Sequence, residues 1–187
     1  MTDTQISEGL MTIEEFIAEF DKHPFELING ERKILSPTMF DHGDVQSSLM
    51  TALTMFVTPR NLGKIFLDTP FVLAYERKWV KGSRVPDLMY FEASRLTAYK
   101  ASDPDYGHKP PVLVPDLIVE IVSPTDRFTD VYAKVAAYLR DGVRLIWIID
   151  LQRKLVIVFQ KDKPDISLSG GDLSLIHISE PTRLRRI

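Results

Sequence analysis

The sequence predicts an α/β domain, a mixed central β-sheet flanked by helices. Three observations carry this. Pro115 to Pro124 runs Pro-Asp-Leu-Ile-Val-Glu-Ile-Val-Ser-Pro, and Leu117, Ile118, Val119, Ile121 and Val122 form an almost unbroken aliphatic stretch. Such a stretch between prolines is the pattern of a central strand covered on both faces. A helical pattern follows it, and then a second apolar run, Arg144-Leu-Ile-Trp-Ile-Ile-Asp. Residues 115–150 therefore make a β-α-β unit, with parallel strands and a right-handed crossover. Finally, the whole chain alternates, α-β-β-α-β-β-β-α-β-β, as expected of strands layered against helices.

Each element has a local cause. Thr12 with Glu15 is a capping box, and Ile13, Phe16, Ile17 and Phe20 recur at helical spacing, so 12–22 is a short amphipathic helix stopped at Pro24. Phe25 to Leu35 is a hairpin turning at Asn29-Gly30 in a type I′ turn. Residues 41–58 form a second helix, with Val45, Leu49, Leu53 and Phe56 on one face and His42 in its first turn as a surface or capping residue. Lys64 to Tyr75 is one bent strand or two short ones. Arg77-Lys-Trp-Val-Lys-Gly-Ser-Arg is expected to be a solvated basic loop, with a phosphate contact as the alternative. Val85-Pro-Asp-Leu-Met-Tyr-Phe is the next strand, with Pro86 at its start. Residues 95–114 contain Pro104, Gly107, Pro110 and Pro111 and are expected to be a long irregular connection. After the organising strand, a helix from about Thr129 to Arg140 carries Val131, Val135, Tyr138 and Leu139 as its apolar stripe and ends at Gly142. Leu155-Val-Ile-Val-Phe pairs back on 144–150 as a hairpin.

Composition limits the function. With 187 residues, 44% hydrophobic and 26% charged, the chain suits one globular domain. It has no cysteine, which excludes disulfides and thiolate zinc sites, and its four histidines show no ligand spacing. No signal peptide is visible and no apolar run approaches the ~20 residues that span a bilayer, so a cytoplasmic protein without a membrane partner is expected. A net charge of −3 argues against coating nucleic acid by bulk charge, though not against a local basic groove. Residues 173–187, Leu-Ser-Leu-Ile-His-Ile-Ser-Glu-Pro-Thr-Arg-Leu-Arg-Arg-Ile, resemble the translation of sequencing-adaptor DNA. The natural domain is expected to span 1–172, with 173–187 a non-native tail.

One carboxylate, Glu120, sits in the middle of the aliphatic strand. An ionised acid under apolar cover costs several kcal/mol unless it is paired, so either a cation compensates Glu120 or the strand is an edge with Glu120 in water. Glu120 lies two residues before the strand's end, roughly 7 Å at ~3.3 Å per residue. Lys134 lies about five residues into the returning helix, roughly 8 Å at ~1.5 Å per residue. The lengths match, so Lys134 can stand level with Glu120, against the rival of a surface Asp130–Lys134 pair. Asp87 completes the set if its strand neighbours 117–122. Two converging carboxylates repel, and a hard divalent ion, Mg²⁺ or Mn²⁺, relieves that repulsion while keeping waters for chemistry. A lysine beside such an ion can orient the attacking water, an arrangement suited to hydrolysing a phosphodiester of DNA. Asp116 adjoins the preceding loop and is expected to be a turn or capping residue. Glu26 is a lone acid at the start of the first hairpin, with a solvated position as the plain expectation.

Phe25-Glu-Leu-Ile-Asn-Gly, Ser36-Pro37, His42, Val85-Pro-Asp87, the 115–124 run, Lys134 with Tyr138, Gly142-Val143 and Trp147 to Asp150, in this order and spacing, resemble the Uma-two family of restriction-endonuclease-like proteins. The resemblance covers residues 11 to about 172 and implies a restriction-endonuclease-like core of the PD-(D/E)XK nuclease superfamily. It implies Asp87 and Glu120 as metal ligands, Glu26 as the acid contributed near the N-terminus, and Lys134 as a migrated replacement for the lysine expected where Val122 stands. The expected function is therefore a Mg²⁺-dependent DNA endonuclease. The alternative is an inactive nuclease-fold scaffold or nucleic-acid-binding module. No interface signature fixes the oligomeric state, and a homodimer is left open.

Overall fold

The computed structural model describes residues 11–73, 75–76, 79–123 and 126–169. The expected tail, 173–187, lies outside these residues, as do Arg77 and Lys78. In chain order the elements are β1 (Met11–Thr12), α1 (Ile13–Phe20), β2 (Phe25–Ile28), β3 (Glu31–Ile34), α2 (Phe40–Val57), β4 (Gly63–Leu67), β5 (Phe71–Val72), β6 (Tyr75–Glu76), β7 (Trp79–Val80), β8 (Ser83–Arg84), β9 (Leu88–Glu92), α3 (Ala93–Ser102), β10 (Leu117–Val122), α4 (Phe128–Asp141), β11 (Leu145–Asp150), β12 (Leu155–Gln160) and β13 (Ile166–Ser169).

Six strands form the main sheet in the order β13-β12-β11-β10-β9-β4. β10 and β11 are parallel, from Leu117↔Leu145 to Val122↔Asp150, as the β-α-β unit requires, and the other pairs are antiparallel. The sheet is mixed, and β10 is central. Its odd residues Leu117, Val119 and Ile121 pack with Leu88, Leu145, Ile149 and Leu53 on the α2 face. Its even residue Ile118 packs with Met89, Ile146, Ile148, Val135 and Tyr138 on the α4 face. Burial on both faces is why the strand reads as continuous aliphatic sequence and not as an alternation. A smaller sheet, β3-β2-β8-β5, lies against α1, with Phe16, Phe25, Leu27, Val72 and Val80 between them.

Local chemistry explains most ends. Thr12 accepts the Glu15 amide while Glu15 accepts the Thr12 amide, so the capping box forms at the head of α1. Asn29 and Gly30 take φ of 52° and 84°, the two left-handed positions a type I′ hairpin needs. Gly142, at φ 103°, ends α4 and donates its N–H to the carbonyl of Leu139.

The structure corrects three expectations. The connection 95–114 is not irregular throughout, because it begins with α3; that helix buries only Leu96 and so leaves no apolar stripe in the sequence. The basic run is not simply a solvated loop: Trp79–Val80 and Ser83–Arg84 are strands, and Ser83 and Arg84 are buried. β13 extends the sheet by a sixth strand whose Ile-Ser-Leu-Ser is short and mostly exposed, so it carries too little apolar sequence to stand out.

At Gly63, β4 passes close to β9: a Cβ built there lies 2.0 Å from the carbonyl oxygen of Phe91 and 2.7 Å from the Tyr90 ring. Gly63→Ala should cost about 3 kcal/mol of stability, read as a fall in the denaturant midpoint. A change within experimental error would mean that β4 is free to move away from β9.

Candidate active site

Glu120 faces the α4 side of the sheet and is 8% exposed. It does not sit on an edge in water. α4 runs back along β10 and supplies both its partners. Lys134 Nζ lies 2.8 Å from Glu120 Oε2, and the Tyr138 hydroxyl donates to Glu120 Oε1 at 2.5 Å. The two residues are one helical turn apart, so a single face of α4 grips both carboxylate oxygens. Lys134 points inward to Glu120, not outward to Asp130.

Asp87 precedes β9 by one residue. Since Leu88 pairs with Val119, the antiparallel register places Asp87 opposite Glu120. Asp87 Oδ2 accepts the Ile121 amide at 2.6 Å, and Asp87 Oδ1 lies 3.1 Å from His42 Nε2. His42, in the first turn of α2, is therefore not a mere capping residue: it reaches the carboxylate from the opposite face of the sheet. Gln46, one turn later, donates to Asp68 Oδ1 and to the Asp87 carbonyl, each at 2.9 Å. These contacts fix the chain on both sides of Asp87.

Glu26 comes from the smaller sheet. It is 1% exposed, contrary to the plain expectation of a solvated hairpin residue. Its Oε1 accepts the Val85 amide at 3.0 Å and lies 3.9 Å from Lys134 Nζ. Arg84 locks the smaller sheet to α4, because its Nη2 lies 2.8 Å from Asp141 Oδ2 while its Nη1 donates to the Leu27 and Ser83 carbonyls. The structure thus brings Glu26, Asp87, Glu120 and Lys134 into one cluster, with His42 and Tyr138 added. Both belong to the pattern of the family resemblance, but spacing alone assigned them no role: His42 lacked a periodic partner, and Tyr138 read as part of an apolar stripe.

Asp116 stands apart, at the other end of β10. It is a buried charge node and not a simple turn residue. Its carboxylate pairs with Arg95 at 2.6 Å and with Arg144, and it accepts the Glu92 amide at 2.9 Å.

The cluster holds more negative than positive charge. Burial pushes the Glu120 carboxyl up; Lys134 pulls it down, Asp87 and Glu26 push it up again, and it settles at about 7. Burial works against the Lys134 ammonium, but Glu120, Glu26 and Asp87 outweigh it and hold the lysine above its ordinary value. The contact with Asp87 raises His42 against the opposing effect of its burial. Such a surplus of facing carboxylate charge suits a hard divalent cation. Among the described residues no group of three His, Asp or Glu side chains is placed to hold a metal. An ion here would therefore rest on two carboxylates, Asp87 and Glu120, and fill its shell with water, which is the habit of Mg²⁺. The residues fit the ion on those terms.

The fold has a counterpart among solved structures. A "putative nuclease belonging to DUF820" from Anabaena variabilis, known from a crystal structure, shares it with a TM-score of 0.65 and 23% identity, over 85% of this chain and 84% of that chain. The chain belongs to the Uma2 family, described as "Putative restriction endonuclease", which matches residues 13–178. No curated protein matches it. Among the described residues no helix is long and apolar enough to cross a membrane.

The raised acid has a signed consequence. A carboxyl whose folded value is near 7, against an ordinary 4.5, binds its proton more tightly folded than unfolded. Its contribution to stability is present below the unfolded value and is lost as pH rises through the folded one. His42, also raised, acts in the same direction. The metal-free protein should therefore lose melting temperature between about pH 5 and about pH 8, and Glu120→Gln should flatten the slope. A profile that is level or rises over this range would contradict the burial of an incompletely compensated acid.

Proposed function

We propose that the protein is a divalent-metal-dependent endonuclease that hydrolyses phosphodiester bonds in DNA. One observation carries the reading: a carboxylate on β10, a second on the residue just before the antiparallel β9 and an amine from the following helix lie together, the amine 2.8 Å from one acid. Asp87 and Glu120 would hold Mg²⁺ or Mn²⁺. When bound, the ion supplies Lewis-acid stabilisation of the phosphate and a more acidic water.

The remaining work falls to the chain. Lys134, charged throughout the working pH range, places a positive group beside the scissile phosphate and offers a donor to orient the attacking water. Glu26 draws Lys134 from the other side, so the amine is held between two acids and not by one alone. Tyr138 keeps Glu120 from turning, and His42 does the same for Asp87. The lysine that stands two residues after the acid in the wider superfamily is Val122 here, and Lys134 on α4 takes its place. The family supports a nucleic-acid substrate, and DNA is the proposed one.

The test is direct. Asp87→Asn and Glu120→Gln should each weaken Mn²⁺ binding in calorimetry and lower Mg²⁺-dependent cleavage of plasmid DNA by about 100-fold or more. Lys134→Met should lower cleavage by a similar factor while leaving Mn²⁺ binding largely in place. Cleavage that persists in purified Asp87→Asn and Glu120→Gln would overturn the assignment. Wild-type protein that binds neither ion would favour an inactive scaffold on the same fold.

A further inference from the structure

Glu120 and Glu26 face the same ammonium, and they share it unequally. Lys134 Nζ lies 2.8 Å from Glu120 Oε2 but 3.9 Å from Glu26 Oε1. The first distance is a charge-assisted hydrogen bond, and the second is too long for one. Yet Glu26 is the more deeply buried acid, 1% exposed against 8%. Its Oε1 accepts the Val85 amide, and no cation among the described residues stands within hydrogen-bond distance of it. Arg84, the neighbouring cation, is committed elsewhere, held by Asp141 and by the Leu27 and Ser83 carbonyls. A buried carboxylate without a bonded charged partner is costly. Glu26 is thus an acceptor with room for a closer approach of Lys134.

A divalent ion on Glu120 would change this balance. Tyr138 and Lys134 take one oxygen of Glu120 each. The Tyr138 hydroxyl is neutral and a carboxylate oxygen has a second lone pair, so that bond is compatible with a metal on the same acid. The ammonium is not, because two cations on one carboxylate repel, and the low dielectric of a buried site strengthens the repulsion. Freedom to move points the same way. Tyr138 is fully buried in the core under α4. The Lys134 side chain is 28% exposed, and its ammonium swings on a flexible stem. About 1 Å of travel brings Nζ within hydrogen-bond reach of Glu26 Oε1. Glu26 itself is anchored, since the amide that holds it belongs to Val85, two residues before Asp87.

We propose that Lys134 is the resident cation of the metal-free site: it bonds Glu120 until a divalent ion arrives, then yields that acid to the ion and turns to Glu26. This rests on the reading above that Asp87 and Glu120 bind the ion. Glu26 is then a positioning residue, the receiver that keeps the amine at the site after the exchange, and it does not touch the metal. An ammonium has three donors, so Lys134 on Glu26 still has donors for the attacking water and the phosphate. Ion loading and placement of the amine become one event.

Mn²⁺ titration calorimetry of the full chain as wild type, Glu26→Gln, Lys134→Met and the double variant tests it without requiring cleavage. Glu26→Gln keeps an oxygen for the Val85 amide and removes the charge that receives the lysine. It should weaken Mn²⁺ binding by about 5-fold or more, while Lys134→Met should bind the ion no more weakly than wild type. In the Lys134→Met background the cost of Glu26→Gln should shrink to about 2-fold or less, because no lysine is left to receive. Wild-type affinity in Glu26→Gln would overturn the exchange. So would an equal loss with and without Lys134, which would mean that Glu26 acts on the ion itself. Wild-type crystals grown with and without Mn²⁺ give a second readout that needs no variant to fold. With the ion bound, Nζ should leave Glu120 and stand about 3 Å from Glu26. Nζ still bonded to Glu120 beside a bound ion would overturn the exchange and leave the nuclease reading standing. Wild type that binds no Mn²⁺ would sink the metal reading and the exchange with it.

Discussion

The grip of Lys134 and Tyr138 on Glu120 is the interaction that the rest of this structure serves. A carboxylate in the middle of a central strand, with aliphatic residues on each side, is tolerable only if both its oxygens are met. α4 meets them from one face, and everything around it fixes the height of that helix. Gly142 ends it, the adjoining parallel strand sets its return path, and the Arg84–Asp141 pair ties its last turn to the smaller sheet. Removing one partner would leave charge buried without an answer, so the site and the core depend on one another.

The compensation is incomplete, and the proposed chemistry makes use of that. One ammonium serves Glu120 and Glu26, and burial, with Asp87 and Glu26 adding to it, raises Glu120 to about 7 in spite of that ammonium. A site that served packing alone would do better with a neutral residue at 120. The surplus negative charge has a use if a divalent ion arrives to balance it. The ion's charge then matches acids that the fold has already gathered, and little reorganisation is needed at the moment of reaction. By contrast, the Asp116 node at the far end of β10 balances one acid against Arg95 and Arg144, and it leaves no such surplus.

The sequence showed the strands and helices wherever burial imposed a period. β10 and β11 stood out because both faces are covered, and α1 because its cap and stripe agree. α3 and β13 were hidden for the opposite reason, since each buries almost nothing and so leaves no pattern. At the site, Glu120 announced itself as a charge in an apolar run, and Lys134 could be placed by matching strand rise to helix rise. Glu26 and His42 could not be found in that way. Glu26 is buried by the packing of a second sheet against α4, and His42 reaches Asp87 across the end of the main sheet. Both are contacts between parts of the chain far apart in sequence, with no local spacing to betray them. The basic run before β9 misled because buried arginine and solvated arginine have the same letter; only the position of Asp141 makes Arg84 an inward-facing residue.

The central claim is that Asp87 and Glu120 share one cation. A crystal grown with Mn²⁺ and measured at a wavelength where manganese scatters anomalously tests it most directly. The account predicts one strong peak between the two carboxylates, within coordination distance of an oxygen from each and with Lys134 beside it. A peak at another place on the protein, or an ion held by one of these acids while the other stays bound only to protein groups, would contradict it.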